Sequence, residues 1–301
     1  MKVLYSACDI TKTGLNFPEK LVRVFLPSGR AIGRLVKRSA KSSKCNVEIR
    51  REHLNPLRIS FSNHIEKSDS PRVEIIGQKQ WCEQSIEAVY IPVKEMLSNA
   101  PGFRSLYNQR EVHFEEIYAD ILDRAYTPSV RGVPDETRKR IMSIIQEVID
   151  GKVAIKNEEF FLQNKQGNLE FTLLAEGMRK LGLLLVLIQN GTLTNGSVLF
   201  WDEPETNLNP KLYKILVQIF LELQREGVQI FLATHDYVIL KEFDLLKTQT
   251  DSVKYHTFYV DEDRKVRSNS TEDLDKLEPN AIMDSYSELY DLQIKKSLEP
   301  Q

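Results

Sequence analysis

The sequence predicts a mixed α/β fold organised around a parallel sheet. Three observations predict it. Val198-Leu199-Phe200-Trp201 is a short continuous apolar run that ends in Asp202-Glu203, the pattern of a strand buried on both faces. A second such run, Val228 to Ala233, ends in Thr234-His235-Asp236. Between them, Leu212, Ile215, Leu216, Ile219, Phe220 and Leu223 recur at i, i+3 and i+4, which predicts a helix from Pro210 to Arg225. Strand, helix, strand, helix from Val198 to Leu246 calls for a parallel α/β core.

The elements follow in order. Met1 to Ile10 reads as a helix that starts at once, and Glu19 to Phe25 as a second, closed by Pro27-Ser28-Gly29. The stretch from Arg30 to Arg51 is basic. Strand patterns at Asn46 to Arg50, Leu57 to Ser62, Val73 to Ile76 and Ala88 to Ile91 come at short spacing and predict an antiparallel meander. Leu97 to Asp150 reads as an all-helical insertion, with helices over Glu111 to Tyr126 and Asp135 to Ile149 and a stop at Gly151. Strands at Val153 to Ile155, Glu159 to Gln163 and Leu169 to Leu174 come next. Ala175 to Asn190 is a helix apolar almost all round, hence buried. After Ala233 come a helix from Tyr237 to Leu246 and strands at Lys254 to Val260 and Arg264 to Arg267. The division is 1–96, 97–150 and 151–301.

Composition narrows the function classes. The chain has 301 residues, 41% hydrophobic and 28% charged, with net charge −2, so no general polyanion-binding role is indicated. Its three cysteines, Cys8, Cys45 and Cys82, are scattered without metal-ligand spacing. No basic and apolar leader opens the chain, and Leu181 to Ile188 is too short to span a bilayer. The expected setting is cytoplasmic and reduced, with no membrane partner.

The chemistry concentrates at Ser197 to Pro210. Two carboxylates at the carboxyl end of a buried strand stand where open α/β sheets place ligands. This is a Walker-B-like arrangement, in which Asp202 would hold Mg²⁺ and Glu203 would orient or deprotonate an attacking water. The bland alternative is a buried strand ending in a polar turn.

Three segments then line up: Leu174-Ala175-Glu176-Gly177-Met178-Arg179-Lys180, the acidic strand, and Phe231-Leu232-Ala233-Thr234-His235-Asp236. Together they resemble the second half of an ABC-type P-loop NTPase head, of the kind shared by transporter ATPases, SMC- and RecF-like repair ATPases, and bacterial AAA-domain ATPases of phage-defence and toxin–antitoxin loci. The resemblance covers Leu169 to Leu246 most strongly. It implies an ATP- and Mg²⁺-dependent ATPase that dimerises around nucleotide or joins a co-encoded effector protein. Asp202 is the implied metal residue, with Glu203 and His235 as catalytic residues. Ala175, Glu176 and Gly177 form a divergent signature motif, lacking its usual serine and first glycine. Together with Asn207 of the D-loop they would meet nucleotide held by a partner subunit. Asn207 and Asn209 read equally well as helix caps. Lys94-Glu95 occupies the place of the family's Q-loop, where a solvated strand end is an equal reading.

A G-x-x-x-x-G-K-[ST] phosphate loop is not found in these residues. Lys2 to Ala7 reads as the body of the helix that follows such a loop, so the resemblance implies a chain that begins after it. The alternatives are a catalytically inactive scaffold module and a DNA-associated repair-type ATPase. The basic stretch gives DNA as a further partner class, although no aromatic residues interleave with it.

Overall fold

The structure is a computed structural model that describes residues 1–38, 41–52, 54–109, 112–130, 132 and 134–298. Helix α1 (Lys2–Thr13) ends at Gly14, whose φ of 67° gives the left-handed turn that closes it. Helix α2 (Phe17–Phe25) starts with Pro18 in its first turn. The pair packs on an antiparallel sheet of β1 (Lys44–Ile49), β2 (Leu57–Ser62) and β3 (Glu74–Ile76), in that spatial order. Phe17, Leu21, Ile32, Leu57, Ile59, Phe61 and Trp81 form the core of this part. Trp81 belongs to the short helix α3 (Gln78–Trp81) and donates its indole N–H to the carbonyl of Ala7 at 2.6 Å.

One expected member of the meander lies elsewhere. Strand β4 (Ala88–Ile91) pairs in parallel with β8 (Val198–Asp202), Tyr90 opposite Phe200, and is buried along its whole length. Both of its faces are apolar, so only a doubly covered sheet can accept it.

The helices α4 (Phe103–Gln109), α5 (Glu116–Ala125) and α6 (Glu136–Val148) follow. The expected helix start at Glu111 lies outside the described residues. Asp135 caps α6 by accepting from the Arg138 N–H at 2.7 Å. An antiparallel sheet of β5 (Lys152–Lys156), β6 (Glu159–Asn164) and β7 (Gly167–Glu170) comes next. The expected strand through Leu174 stops at Glu170. Phe171 turns inward to a buried position and starts a single 3₁₀ turn, Phe171–Leu173.

Helix α7 (Glu176–Gln189) is buried from Lys180 to Ile188, as its all-round apolar sequence requires. It joins β8, α8 (Tyr213–Arg225) and β9 (Gln229–Ala233) in the largest core, where Leu184, Leu185, Leu187, Trp201 and Val217 are fully buried. The central sheet has the order β4-β8-β9, all parallel. Helix α9 (Tyr237–Leu246) precedes a hairpin of β10 (Tyr255–Val260) and β11 (Val266–Thr271), the latter running beyond its expected end at Arg267. Helix α10 (Ala281–Leu298), which the sequence pattern did not announce, buries none of its residues and stacks Tyr286 on Tyr237 at 4.5 Å between ring centroids. Among the described residues, no helix is long and apolar enough to cross a membrane.

Candidate functional site

The parallel register places Asp202 opposite Ala233, so β8 and β9 end side by side. The N–H of Glu203 still donates to the Ala233 carbonyl at 2.9 Å. The chain then breaks sharply, with Glu203 at φ 48°. A non-glycine residue in the left-handed region is uncommon and is held there by its surroundings. Here the hold is visible. Lys180 reaches from α7 to donate to the carbonyls of Thr206 at 2.9 Å and Glu203 at 3.4 Å. Burial lowers the Lys180 ammonium below its ordinary value, and Glu176, Glu205 and Glu203 pull it back up.

The two oxygens of Glu203 have different neighbours. Oε2 accepts from the Thr206 hydroxyl at 2.9 Å, and Oε1 faces Nε2 of His235 at 3.5 Å. The His235 side chain is 86% exposed and the Glu203 side chain 32%, so the pair opens to solvent and to any ligand at the strand ends. Asp202 accepts from the Tyr90 hydroxyl through Oδ2 at 3.2 Å. Burial, then the Asp202 charge, raises the Tyr90 hydroxyl well above its ordinary value, which keeps it a donor. Helix α1 directs its N-terminal end to the same place. Burial lowers the Met1 amino group, and the Asp202 carboxylate partly restores it.

Asp202 suits Mg²⁺ in one respect: one of its oxygens is engaged by Tyr90 and the other is left to ligate. Among the described residues no group of three or more His, Cys, Asp or Glu side chains could hold a metal by itself. Mg²⁺ fits such a sparse set, because it usually binds one or two carboxylates and completes its shell with water and phosphate oxygens.

The signature-like and D-loop segments meet within the chain. Ala175 is the N-cap position of α7 and offers no side-chain cap, so first-turn N–H groups remain for another acceptor. Asn207, at φ 62°, donates to Glu176 Oε2 at 2.9 Å. Gly177 allows this approach: a Cβ there would stand 2.7 Å from the Asn207 carbonyl oxygen and 3.0 Å from Leu208 Cα. Asn209 serves as a cap, accepting from the Lys211 N–H at 3.0 Å.

Sequence reasoning reads Glu205 and Thr206 only as part of the D-loop and Lys180 only as part of the signature-like segment, and misses what they do at the strand ends. Glu205 is buried and its Oε1 accepts from the Thr234 hydroxyl at 2.5 Å and the His235 N–H at 3.2 Å. It therefore ties the loop after β8 to the residues after β9. The signal was a second carboxylate after a proline in Asp202-Glu203-Pro204-Glu205, too close to the buried strand to be an idle surface charge. Glu95 is not a solvated strand end. It is buried, its carboxylate accepts from the Leu97 and Ser98 N–H groups, and Arg179 Nε of α7 lies 2.9 Å from its Oε2.

The family described as "AAA domain, putative AbiEii toxin, Type IV TA system" matches residues 50–241. The chain belongs to this AAA-domain ATPase family. None of the curated proteins matches it significantly. Among solved structures it is similar to the Smc head domain from Pyrococcus furiosus, crystallised with an extended coiled coil and bound to the C-terminal domain of ScpA. That likeness has 11% identity, covers 96% of this chain and 90% of the other, and has a TM-score of 0.47. The SMC head domain from Thermotoga maritima is similar at 12% identity, 68% coverage of each chain and a TM-score of 0.34. A dimeric ATP-binding cassette in a post-hydrolysis state with ADP and Pi is similar at 12% identity, with 62% of this chain and 66% of that one covered and a TM-score of 0.29.

Proposed function

We propose that this chain is an ATP-hydrolysing ABC-type head that closes with a second copy around Mg-ATP, in a toxin–antitoxin or phage-defence setting. The observation that carries the reading is the Glu203 carboxylate, fixed at a strand end by Thr206 and facing His235. Mg²⁺ bound at Asp202 would draw negative charge off the phosphates and steady the leaving oxygens. Glu203 accepts a proton from the attacking water, and the exposed His235 ring holds the terminal phosphate end of the site. Thr206 keeps one Glu203 oxygen occupied, so the other is the base. Across the dimer, the first turn of α7 at Ala175, Glu176 and Gly177, with Asn207 beside it, would face the nucleotide of the partner copy. A co-encoded effector protein is the alternative partner.

Equilibrium binding of fluorescent ATP to the 301-residue chain, with and without Mg²⁺, tests the reading. Mg²⁺-dependent binding at micromolar concentration is the expected result, and Glu203→Gln should keep that binding while turnover drops by about 10²- to 10⁴-fold. No binding at all would favour a nucleotide-independent scaffold. Unchanged turnover in Glu203→Gln would remove that residue from the chemistry.

A further inference from the structure

Side chains alternate along a strand, so the two faces of β8 have different neighbours. Trp201 lies in the large core with α7 and α8, while Phe200 packs with Tyr5 of α1 on the other face, the face that Asp202 shares. In the parallel register Tyr90 stands opposite Phe200, and Phe200 opposite Phe231. The three rings stack across the sheet. Tyr90 and Phe200 are 6.4 Å apart between centroids and 19° from parallel, Phe200 and Phe231 5.1 Å and 9°. Tyr5 closes over the first two at 5.6 and 6.1 Å.

This stack fixes the Tyr90 ring, which is buried, and aims its hydroxyl at Asp202 Oδ2, 3.2 Å away. Phe200 and Phe231 bring no polar atom to the carboxylate. Tyr5 turns its hydroxyl elsewhere, donating to Asp120 Oδ2 at 2.7 Å, and Asp120 is itself paired with Lys20 at 2.7 Å. Among the described residues no other group donates to the Asp202 carboxylate, and no side-chain cation stands at ion-pair distance from it. The Tyr90 hydroxyl therefore decides how that carboxylate is presented.

Resting on the reading of Asp202 as the metal residue, we propose that Tyr90 is a positioning residue that sets the choice of metal. It holds one Asp202 oxygen, confines the carboxylate to single-oxygen ligation and so favours Mg²⁺ over Ca²⁺. The two ions make different demands on a carboxylate. Mg²⁺ is small, needs near-octahedral geometry and keeps several waters, so one fixed oxygen suits it. Ca²⁺ takes more oxygens at longer distances and gains when a carboxylate turns to offer both. A partner behind a ligand fixes the ligand's direction, and such partners affect metal affinity strongly. The Tyr90 ring, packed between Tyr5 and Phe200, cannot follow a carboxylate that turns toward a larger ion. Two-oxygen ligation therefore costs this hydrogen bond.

Competition against Mn²⁺, followed by electron paramagnetic resonance of the free ion, gives the Mg²⁺ and Ca²⁺ affinities of the full chain without nucleotide. In the parent, Mg²⁺ should displace Mn²⁺ at lower concentration than Ca²⁺ does, and Asp202→Asn should abolish Mn²⁺ binding at this site. Tyr90→Phe keeps the ring stack and loses only the hydroxyl. It should weaken Mg²⁺ about tenfold and leave Ca²⁺ within about twofold, so the preference for Mg²⁺ falls about tenfold. Tyr5→Phe, which removes the hydroxyl aimed at Asp120, should leave that preference unchanged. Circular dichroism checks that each variant folds. Mn²⁺ binding that is absent from the parent, or that survives Asp202→Asn, would show that Asp202 is not the metal residue, and the proposal would fall with that reading. Binding lost in Asp202→Asn but with both affinities unchanged in Tyr90→Phe would overturn the proposal alone. Equal weakening of the two metals in Tyr90→Phe, or the same shift in Tyr5→Phe, would reduce Tyr90 to structural support and overturn it as well.

Discussion

Nε2 of His235 lies 3.5 Å from Oε1 of Glu203, across the ends of two neighbouring parallel strands. Neither side chain reaches that place unaided. Glu203 depends on a left-handed backbone held by Lys180 and on the Thr206 hydroxyl. His235 depends on Glu205, whose carboxylate holds its N–H, while Asp236 caps α9 by accepting from Val238 and Ile239. The two side chains and the loop between them are thus positioned by contacts outside the pair itself.

The first prediction concerns Glu205. Glu205→Ala leaves the Thr234 hydroxyl and the His235 N–H without their acceptor, at a cost of about 1–3 kcal/mol. Amide hydrogen exchange at His235 should rise clearly, and urea unfolding should shift to lower concentration. Glu205→Gln keeps an acceptor oxygen and should leave exchange near that of the parent. Equal exchange in all three proteins would show that Glu205 does not position the histidine segment.

A second prediction rests on Gly177. Any Cβ there presses on the backbone of Asn207 and Leu208, and backbone yields less readily than a side-chain tip. Gly177→Ala should destabilise the fold by about 1–3 kcal/mol, read as a lower Tm. It should also loosen the Asn207–Glu176 bond by pushing the loop off α7. An unchanged Tm would mean that the helix and loop are not in this close contact.

Much of this was legible in the sequence because burial and periodicity mark it. Val198 to Trp201 can only be a doubly buried strand, and the helix from Tyr213 to Arg225 shows its apolar face at once. The end of β8 pointed directly to Asp202 and Glu203. The partner of Ala88–Ile91 was hidden, because four apolar residues specify burial but not which strand lies alongside. Helix α10 was hidden because its apolar residues, from Ile282 and Leu292 round to Ile294 and Leu298, spread over more than half of its surface and mark no narrow buried stripe. The work of Lys180 arises where a helix and two strand ends converge, and sequence spacing holds no trace of that, whereas Glu205 left one signal, its place directly after Pro204.

Arg179 and Glu95 give a third prediction. Burial raises the Glu95 carboxyl above its ordinary value despite the nearby guanidinium of Arg179. Arg179→Met would leave a buried carboxylate without its counter-charge and should cost about 3–5 kcal/mol. The penalty should shrink as pH is lowered and Glu95 takes up a proton, because a raised folded-state value favours the neutral form. Glu95→Gln combined with Arg179→Met should recover most of the loss. Additive losses in denaturant unfolding of the single and double variants would show that the two groups are not coupled.

The fourth prediction is a pH dependence at the end of α8. Arg225 donates to both oxygens of Asp251 at 2.7 Å, and the Thr248 N–H and hydroxyl add two further bonds at 2.8 Å. These bonds, the one from Arg225 foremost, hold the Asp251 carboxyl well below its ordinary value of 3.8. The folded state therefore binds this proton less readily than the unfolded chain. Its contribution is fully present above the unfolded value and is lost as pH falls through the folded one. Asp251→Asn should thus lower stability near about pH 6 by about 1 kcal/mol, after allowance for screening around the part-exposed Arg225. The difference between parent and variant in urea midpoint should hold from neutral pH down to the ordinary carboxylate range. It should then close as the pH falls further and the parent loses the charge that the variant never had. A gap that stayed constant into strong acid would place the stabilisation in packing and not in the ionised carboxylate.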